Sequence, residues 1–156
     1  MRHRSAVLVL PLVTVLSAAV VAPAAAAESV HIVVDVPFDG SPGSFTAEGA
    51  GLCAGGTYTD SATRITGVDR GRDRTLTFHL DRTFTCDDGT GTFTVRISAR
   101  WHPCDATNAG TWAVLRGEGA YEDLHGAGQL VGTYLGHDGC TPDGVVDVLT
   151  GRAALG

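Results

Sequence analysis

The residues best suited to acid–base chemistry in this sequence are a histidine and two carboxylates that lie close together. Glu122, Asp123 and His125 fall within four consecutive positions. A carboxylate beside an imidazole can orient it and keep it charged near neutral pH. The same residue types are also favoured at the polar crest of a turn. His125 is therefore the candidate general acid or base, and an exposed turn residue is the simpler interpretation.

Other ring side chains have structural interpretations. His31 and His79 alternate with apolar residues, which predicts that both point to the polar face of a strand and reach solvent. Trp101 and Trp112 are interpreted as core residues. If the interior of the fold is open, however, inward aromatic rings would line whatever is bound there.

Common catalytic and nucleotide-binding motifs are absent from the sequence. It has no Gly-x-Ser-x-Gly elbow, no His-Glu-x-x-His pair and no phosphate-binding glycine loop. The run Asp87-Asp88-Gly89 could suggest calcium, but the twelve-residue pattern of a calcium loop does not follow it. Turn chemistry explains that run better. We expect no metal and no cofactor, and the catalytic residues, if any exist, are unknown at this stage.

Four cysteines, Cys53, Cys86, Cys104 and Cys140, form an even set. In an exported chain such a set predicts two disulfide bonds. A zinc or redox site is the alternative, but no two of these cysteines have the Cys-x-x-Cys spacing that it would need.

The pairing of the cysteines follows from hairpin symmetry. Residues that face each other across an antiparallel hairpin have a constant index sum, so a bonded pair should centre on a turn. The sequence midpoint between Cys53 and Cys86 falls in the glycine-rich segment 67–71, and the midpoint between Cys104 and Cys140 falls in the segment 119–126. Other pairings centre within predicted strands or join the distant ends of one strand. The predicted bonds are therefore Cys53–Cys86 and Cys104–Cys140.

The beginning of the sequence has the layout of a secretory signal peptide. A short basic head precedes an apolar run at 6–21 and four consecutive alanines at 24–27. The run is shorter than the roughly 20 residues of a spanning helix. We therefore expect cleavage after Ala27 and secretion to the extracellular space, with an uncleaved anchor as the alternative. The predicted organisation is a signal peptide at 1–27 and one domain at 28–156, with no membrane anchor in the mature form.

Charge argues against a nucleic-acid partner. The chain has 17 acidic and 11 basic residues, a formal net charge of −6, and every basic residue is an arginine. Loss of Arg2 and Arg4 with the signal peptide would make the mature domain more negative. Such a surface repels phosphate backbones, and the sequence has no cluster of arginines interleaved with aromatic residues. We therefore expect no nucleic-acid partner.

Past residue 28, apolar and polar residues alternate with a period close to two. The clearest case is 92–101, where Phe93, Val95 and Ile97 share one face. Glycine- and aspartate-rich turns separate the alternating runs. The other predicted strands lie near 30–36, 43–49, 56–66, 75–81, 110–117, 127–136 and 144–152. Eight short strands in one domain predict an all-β fold, an eight-stranded antiparallel up-and-down barrel, with a two-sheet β-sandwich as the alternative.

The most distinctive stretch of the chain is 110–128, which reads GTWAVLRGEGAYEDLHGAG. It resembles the Gly-x-Gly-x-aromatic-x-x-apolar-x-Gly hairpin of allene oxide cyclase and dirigent proteins. Together with 84–93, it is also similar to a group of small exported bacterial proteins that share that barrel. The resemblance implies an eight-stranded antiparallel barrel around an apolar cavity. Arg116 and Glu118 stand where the dirigent pattern has Gly and Thr, and no catalytic residue of those enzymes has a matching motif here.

The residues of this hairpin motif predict a structural role. Its glycines allow a sharp bend and close approach of two backbones, and its Tyr and Leu can plug the barrel mouth. We expect these residues to matter for folding and not for chemistry. They are Gly117, Gly119, Tyr121, Leu124, Gly126 and Gly128.

Three functions are compatible with these patterns. The first is a secreted, non-catalytic barrel that binds a small apolar molecule or a protein partner. The second is an enzyme similar to allene oxide cyclase or dirigent proteins, which steers a reactive intermediate by the shape of its cavity. The third is a structural or inhibitory protein with a solid barrel that acts through its loops. A cavity would argue against the third, and two or more polar side chains converging inside it would favour the second.

Overall fold

A computed structural model of the protein describes residues 26–68, 75–136 and 141–156. Eight antiparallel strands pair in chain order, and the first also pairs with the last, so the sheet closes into a barrel. The predicted barrel is confirmed, and the alternative β-sandwich is wrong. The strands are β1 (Glu28–Pro37), β2 (Ser44–Glu48), β3 (Gly55–Val68), β4 (Thr75–Cys86), β5 (Gly91–Trp101), β6 (Thr107–Gly119), β7 (Leu124–Leu135) and β8 (Gly144–Leu155).

Alternation in the sequence decides which side chains lie inside the barrel. In β5, Phe93, Val95 and Ile97 are buried at every second position, as predicted. Because side chains alternate between the two faces of a strand, the residues between them lie on the opposite face. Thr94 on that face is nevertheless buried, and its hydroxyl lies 2.9 Å from that of Thr83. His31 and His79 are exposed, also as predicted. Within the described residues, no helix is long and apolar enough to cross a membrane.

One end of the barrel is sealed by aromatic rings. The ring centroids of Phe45 and Phe93 each lie 4.8 Å from that of Phe84. Tyr121, in the turn between β6 and β7, adds a fourth ring 5.4 Å from Phe93. Leu124 is buried at the same end. We call this the sealed end of the barrel.

The hydroxyl group of Tyr121 ties three segments together at the sealed end. It accepts a hydrogen bond from the backbone N–H of Cys53 at 2.9 Å and lies 3.1 Å from the hydroxyl of Thr90. Tyr121 is only 2% exposed. Cys53 belongs to the connection between β2 and β3, and Thr90 to the turn between β4 and β5. A single side chain thus links three connections at the sealed end, β2–β3, β4–β5 and β6–β7.

A disulfide bond joins Cys53 to Cys86, with 6.0 Å between their Cα atoms. Gly56, not Cys53, lies opposite Cys86 in the β3–β4 ladder. Hairpin symmetry therefore gives the correct partner, although Cys53 lies just before the strand and not within it. The two cysteines are 33 residues apart in sequence. A disulfide that closes a loop of that length stabilises the fold by about 3 to 4 kcal/mol, because it restricts the unfolded chain.

The second predicted disulfide is only partly visible. Cys104 is disulfide-bonded, and no cysteine among the described residues is a free thiol. Cys140 lies outside the described residues, as does most of the predicted signal peptide. The bond Cys104–Cys140 and the cleavage after Ala27 stay predictions.

The glycines of the hairpin motif occupy crowded positions. Gly119 has φ +67°, and a Cβ there would lie 2.6 Å from the carbonyl oxygen of Thr90. A Cβ on Gly117, Gly126 or Gly128 would lie within 2.7 Å of a backbone oxygen. Gly126 and Gly128 let β7 approach β8 closely, and Gly117 and Gly119 let the end of β6 approach the backbone of Tyr121 and Thr90.

Both ends of the barrel sequence lie at the sealed end. Glu28, at the start of β1, pairs with Ala153 of β8, and Leu155, at the end of β8, pairs with Leu124. The opposite end is formed by the last residues of β1, β3, β5 and β7 and the first residues of β2, β4, β6 and β8.

Replacing Gly119 tests whether crowding or backbone conformation is the main constraint in the hairpin. We expect Gly119→Ala to lower the free energy of unfolding by more than about 1 kcal/mol, because the new Cβ meets both strain and the Thr90 oxygen. Gly89 is the matched control, since it also has positive φ, +74°, but nothing lies within 4 Å of an added Cβ. Denaturant unfolding should show a smaller loss for Gly89→Ala, and equal losses would contradict the role of crowding.

Two substitutions of Tyr121 separate its ring from its hydroxyl group. Tyr121→Ala should cost on the order of 3 kcal/mol or more, since it leaves a cavity among the aromatic rings. Tyr121→Phe should cost about 1 to 2 kcal/mol, because the N–H of Cys53 loses its acceptor. Thermal or denaturant melts measure both. An unchanged melt for Tyr121→Phe would show that the hydroxyl group does not hold the connections together.

Candidate functional site

A cavity of about 160 Å³ opens at the end of the barrel opposite the sealed end. An engineered cavity of roughly 150 Å³ in another protein holds one benzene molecule, so this space suits a group of about one ring. Apolar side chains from β1, β4, β5, β7 and β8 and from the residue after β1 form its walls. They are Val36, Phe38, Phe78, Leu80, Ile97, Ala99, Leu130 and Val145.

The polar part of the cavity centres on a buried arginine. Arg82 of β4 is 2% exposed, and its Nε and Nη2 donate to the two carboxylate oxygens of Asp60 at 2.6 and 2.8 Å. Its Nη1 donates to Oδ2 of Asp147 at 2.9 Å. The guanidinium carbon also lies 4.4 Å from the centre of the Tyr58 ring. Paired carboxylates are what a buried guanidinium requires, because an unpaired charge is costly away from water.

The charged groups of this cluster shift one another's pKa values. Burial alone would lower the pKa of Arg82, but its hydrogen bonds to Asp60 and the charges of both carboxylates raise that pKa above its ordinary value. Burial raises the pKa of Asp147, and Arg82 acts in the opposite direction. The balance of these two effects leaves the pKa of Asp147 above its ordinary value.

Asn108 and Tyr134 complete the polar lining beside Asp147. The N–H of Gly132 donates to Oδ1 of Asn108 at 3.2 Å, which directs the amide nitrogen of Asn108 to the hydroxyl of Tyr134, also at 3.2 Å. Tyr134 therefore accepts from Asn108, and its own proton is available for donation. A Cβ on Gly132 would lie 2.6 Å from both Asn108 Nδ2 and Asp147 Oδ1. Only glycine leaves room for these two polar groups to lie side by side.

Aromatic rings surround the opening of the cavity. The centroids of Trp101 and Tyr134 are 5.1 Å apart, and Phe38 lies 6.5 Å from Tyr134. Phe78 lies 6.4 Å from Trp101. Phe38 is half exposed. The opening thus offers ring faces to whatever enters, whereas Trp112 lies within the buried core.

The residue that the sequence favours for acid–base chemistry is not part of this site. His125 is exposed in β7, next to the sealed end, and its Nδ1 lies 3.2 Å from the backbone oxygen of Asp123. Glu122 and Asp123 are exposed in the same turn. The arrangement matches the interpretation as a polar turn. Asp88 is likewise a turn residue, because its carboxylate accepts from the N–H and the hydroxyl of Thr90.

The polar cluster was not predicted from the sequence, although the sequence carries a signal for it. Arg82 follows Phe78 and Leu80 on the inward face of β4, and Asp147 lies between two inward apolar residues of β8. A charged residue that continues an inward alternation is either a break in the pattern or a buried functional group. Asp60 and Asn108 occupy equivalent inward positions but carry a weaker signal, since their strands alternate less clearly.

Comparisons with protein-family models, with curated proteins and with solved structures give no match to this chain. The site therefore has to be interpreted from its own geometry. It combines apolar walls, an aromatic opening and a polar patch on one side that contains both donors and acceptors. Such a site can hold a small molecule by its apolar part and orient it through one polar group.

Removing the arginine tests how strongly the two carboxylates depend on it. Arg82→Met should cost about 3 to 5 kcal/mol near neutral pH, because it leaves Asp147 buried without a counter-charge. The loss should shrink as the pH falls. A carboxyl whose folded pKa is raised carries no penalty at a pH where it is protonated in both the folded and the unfolded chain. The penalty grows as the pH rises from the unfolded pKa to the folded pKa, and it is complete above the folded pKa.

The double variant Arg82→Met with Asp147→Asn is the control for this prediction. Its asparagine carries no charge, so the double variant should regain much of the lost stability at neutral pH. Denaturant unfolding at several pH values measures both variants. A loss in Arg82→Met that does not vary with pH would contradict a dominant charge effect and would indicate a loss of packing.

Proposed function

We propose that this protein binds a small, mainly apolar molecule in the cavity of its barrel. The observation that carries the proposal is the asymmetry of the interior. Aromatic rings fill one end, and the other end keeps a ring-sized space with apolar walls and a polar patch on one side. An apolar group that enters this space leaves water, and that transfer favours binding.

Polar groups inside the cavity support a ligand that carries one polar group. A barrel interior is filled at least cost by apolar side chains, and a buried ion pair is often no more stabilising than such packing. Arg82 and Asp147 are therefore poorly explained by stability alone. Their position at the edge of the cavity is explained if they orient a bound molecule.

We propose secretion as the setting for this binding. Basic, apolar and alanine-rich segments follow one another at 1–27, as in signal peptides. The disulfide Cys53–Cys86 is the kind of bond that forms and persists outside the reducing cytosol.

A second candidate is an enzyme similar to allene oxide cyclase or dirigent proteins. Support for it comes from the polar side chains that converge on the cavity. Tyr134 can donate a proton, Asp147 can accept or hold one, and the walls can restrict the shape of a bound intermediate. The hairpin at 110–128 also resembles those families.

Binding ranks above catalysis for a chemical reason. Arg82 occupies Asp147 Oδ2 and both oxygens of Asp60, so most of the carboxylate capacity serves the ion cluster. A proton-transfer role requires a group that can change its charge without disrupting the fold. The catalytic alternative also depends on analogy of fold, which by itself does not establish an activity.

Filling the cavity tests the proposed binding. We expect benzyl alcohol to bind the purified domain with measurable affinity, detected by chemical-shift changes at the methyl groups of Ala99, Leu130 and Val145. Ala99→Phe should abolish those changes, because a ring at this position occupies the space itself.

The matched control is Ala109→Phe, which places the same ring on the outward, exposed face of the neighbouring strand. It should bind benzyl alcohol as the parent does, and thermal melts establish that both variants fold. If the parent shows no binding of benzyl alcohol or of its charged analogues at millimolar concentrations, or if Ala99→Phe binds as well as the parent, the cavity is not the binding site.

A further inference from the structure

We infer that the polar group of the ligand is a cation, so that the cavity takes a small apolar or aromatic molecule with an ammonium group. This inference deepens the proposed function and rests on it. Its basis is the charge, the available acceptor and the aromatic rings around one cavity.

The ionised cluster in the cavity lining has an excess of negative charge. Asp60 and Asp147 carry two negative charges against the single positive charge of Arg82, and the other described residues of the lining are neutral. Asp60 is partly exposed to water, but Asp147 is buried, so next to Asp147 an entering cation offsets the excess negative charge, whereas an entering anion adds to it. The charge balance therefore favours an ammonium group over a carboxylate.

Asp147 offers an acceptor for that ammonium group. Its Oδ2 accepts from Arg82, and within the described part of the chain its Oδ1 takes part in no hydrogen bond. Every side-chain nitrogen or oxygen of those residues that is hidden from solvent does have a partner. Since Asp147 is 6% exposed and lines the cavity, Oδ1 reaches the cavity space. A donor on the ligand can bond to this oxygen in place of water.

Aromatic rings make the rest of the cavity suitable for a cation. Phe38, Phe78 and Tyr134 line it, and the faces of such rings attract positive charge. Arg82 already uses this interaction, since its guanidinium lies over the ring of Tyr58. An organic ammonium could therefore place its charge between Asp147 and ring faces while its apolar part contacts the aliphatic walls.

An anionic ligand would have to compete with the protein's own carboxylates. Arg82 donates three hydrogen bonds to Asp60 and Asp147. A carboxylate on the ligand would need to displace one of them and leave it without a counter-charge. A hydroxyl group could bond to Asp147 and Tyr134, but it would gain nothing from the excess charge.

Three ligands of matched shape test the inference: benzylammonium, benzyl alcohol and benzoate. Titrations followed by calorimetry or by NMR at pH 7.5 should give an affinity for benzylammonium about tenfold or more above that for benzyl alcohol. Benzoate should bind at least about tenfold more weakly than benzyl alcohol. Ala99→Phe should abolish binding of all three.

The variant Asp147→Asn tests the assigned acceptor, and Asp81→Asn is its matched control. Asp147→Asn should lower the affinity for benzylammonium far more than the affinity for benzyl alcohol, and so remove most of the preference between the two ligands. Asp81 forms an ion pair with Arg96 on the outer face, so its replacement removes the same charge at a distance and should leave the preference intact.

A measurement on the parent protein tests the same acceptor without a substitution, so it does not depend on whether a variant folds. The affinity for benzylammonium should fall as the pH decreases through the raised pKa of Asp147, while the affinity for benzyl alcohol stays constant. Equal affinities for the three ligands, or a preference for benzoate, would overturn the inference and leave the proposed binding function standing. No binding of any of the three would overturn both.

Discussion

The burial of one positive charge constrains much of this barrel. Arg82 lies inside a closed sheet, where a guanidinium group without counter-charges would be far too costly. One of its carboxylates, on Asp60, comes from the neighbouring strand β3, but the other, on Asp147, comes from β8. The bond to Asp147 therefore crosses the interior. An eight-stranded barrel is only wide enough for side chains to fill it, so a group that crosses it divides the space on either side.

The two sides of that division are built differently. Toward the sealed end, four rings, a disulfide bond and the hydroxyl of Tyr121 hold the connections together. Toward the opening, the ion cluster is bordered by a cavity with half-exposed rings. Interactions that stabilise the fold and groups that can contact a ligand thus lie at opposite ends. Because the sealed end stabilises the fold, the open end can contain charged groups that are not optimal for stability.

Much of the fold could be predicted from sequence because its determinants are local. Alternation along 92–101 identifies β5 and its inward face, and hairpin symmetry identifies the partner of Cys53. The site could not be found in the same way, because its members come from β3, β4, β6, β7 and β8 and meet only when the sheet closes. Local proximity even favoured the wrong group, since His125 and its acidic neighbours are adjacent in sequence but lie outside the cavity. The informative signal was Arg82 on an otherwise apolar face.

The position of the strand ends has a practical consequence. The start of β1 at Glu28, which pairs with Ala153, and the end of β8 at Leu155, which pairs with Leu124, both lie at the sealed end. Either of these strand ends could carry a tether, a fusion partner or a sensor surface. The attachment point would then be separated from the opening by roughly the height of the barrel. The protein can therefore be immobilised or joined to another domain while its cavity still exchanges small molecules with the surrounding solution.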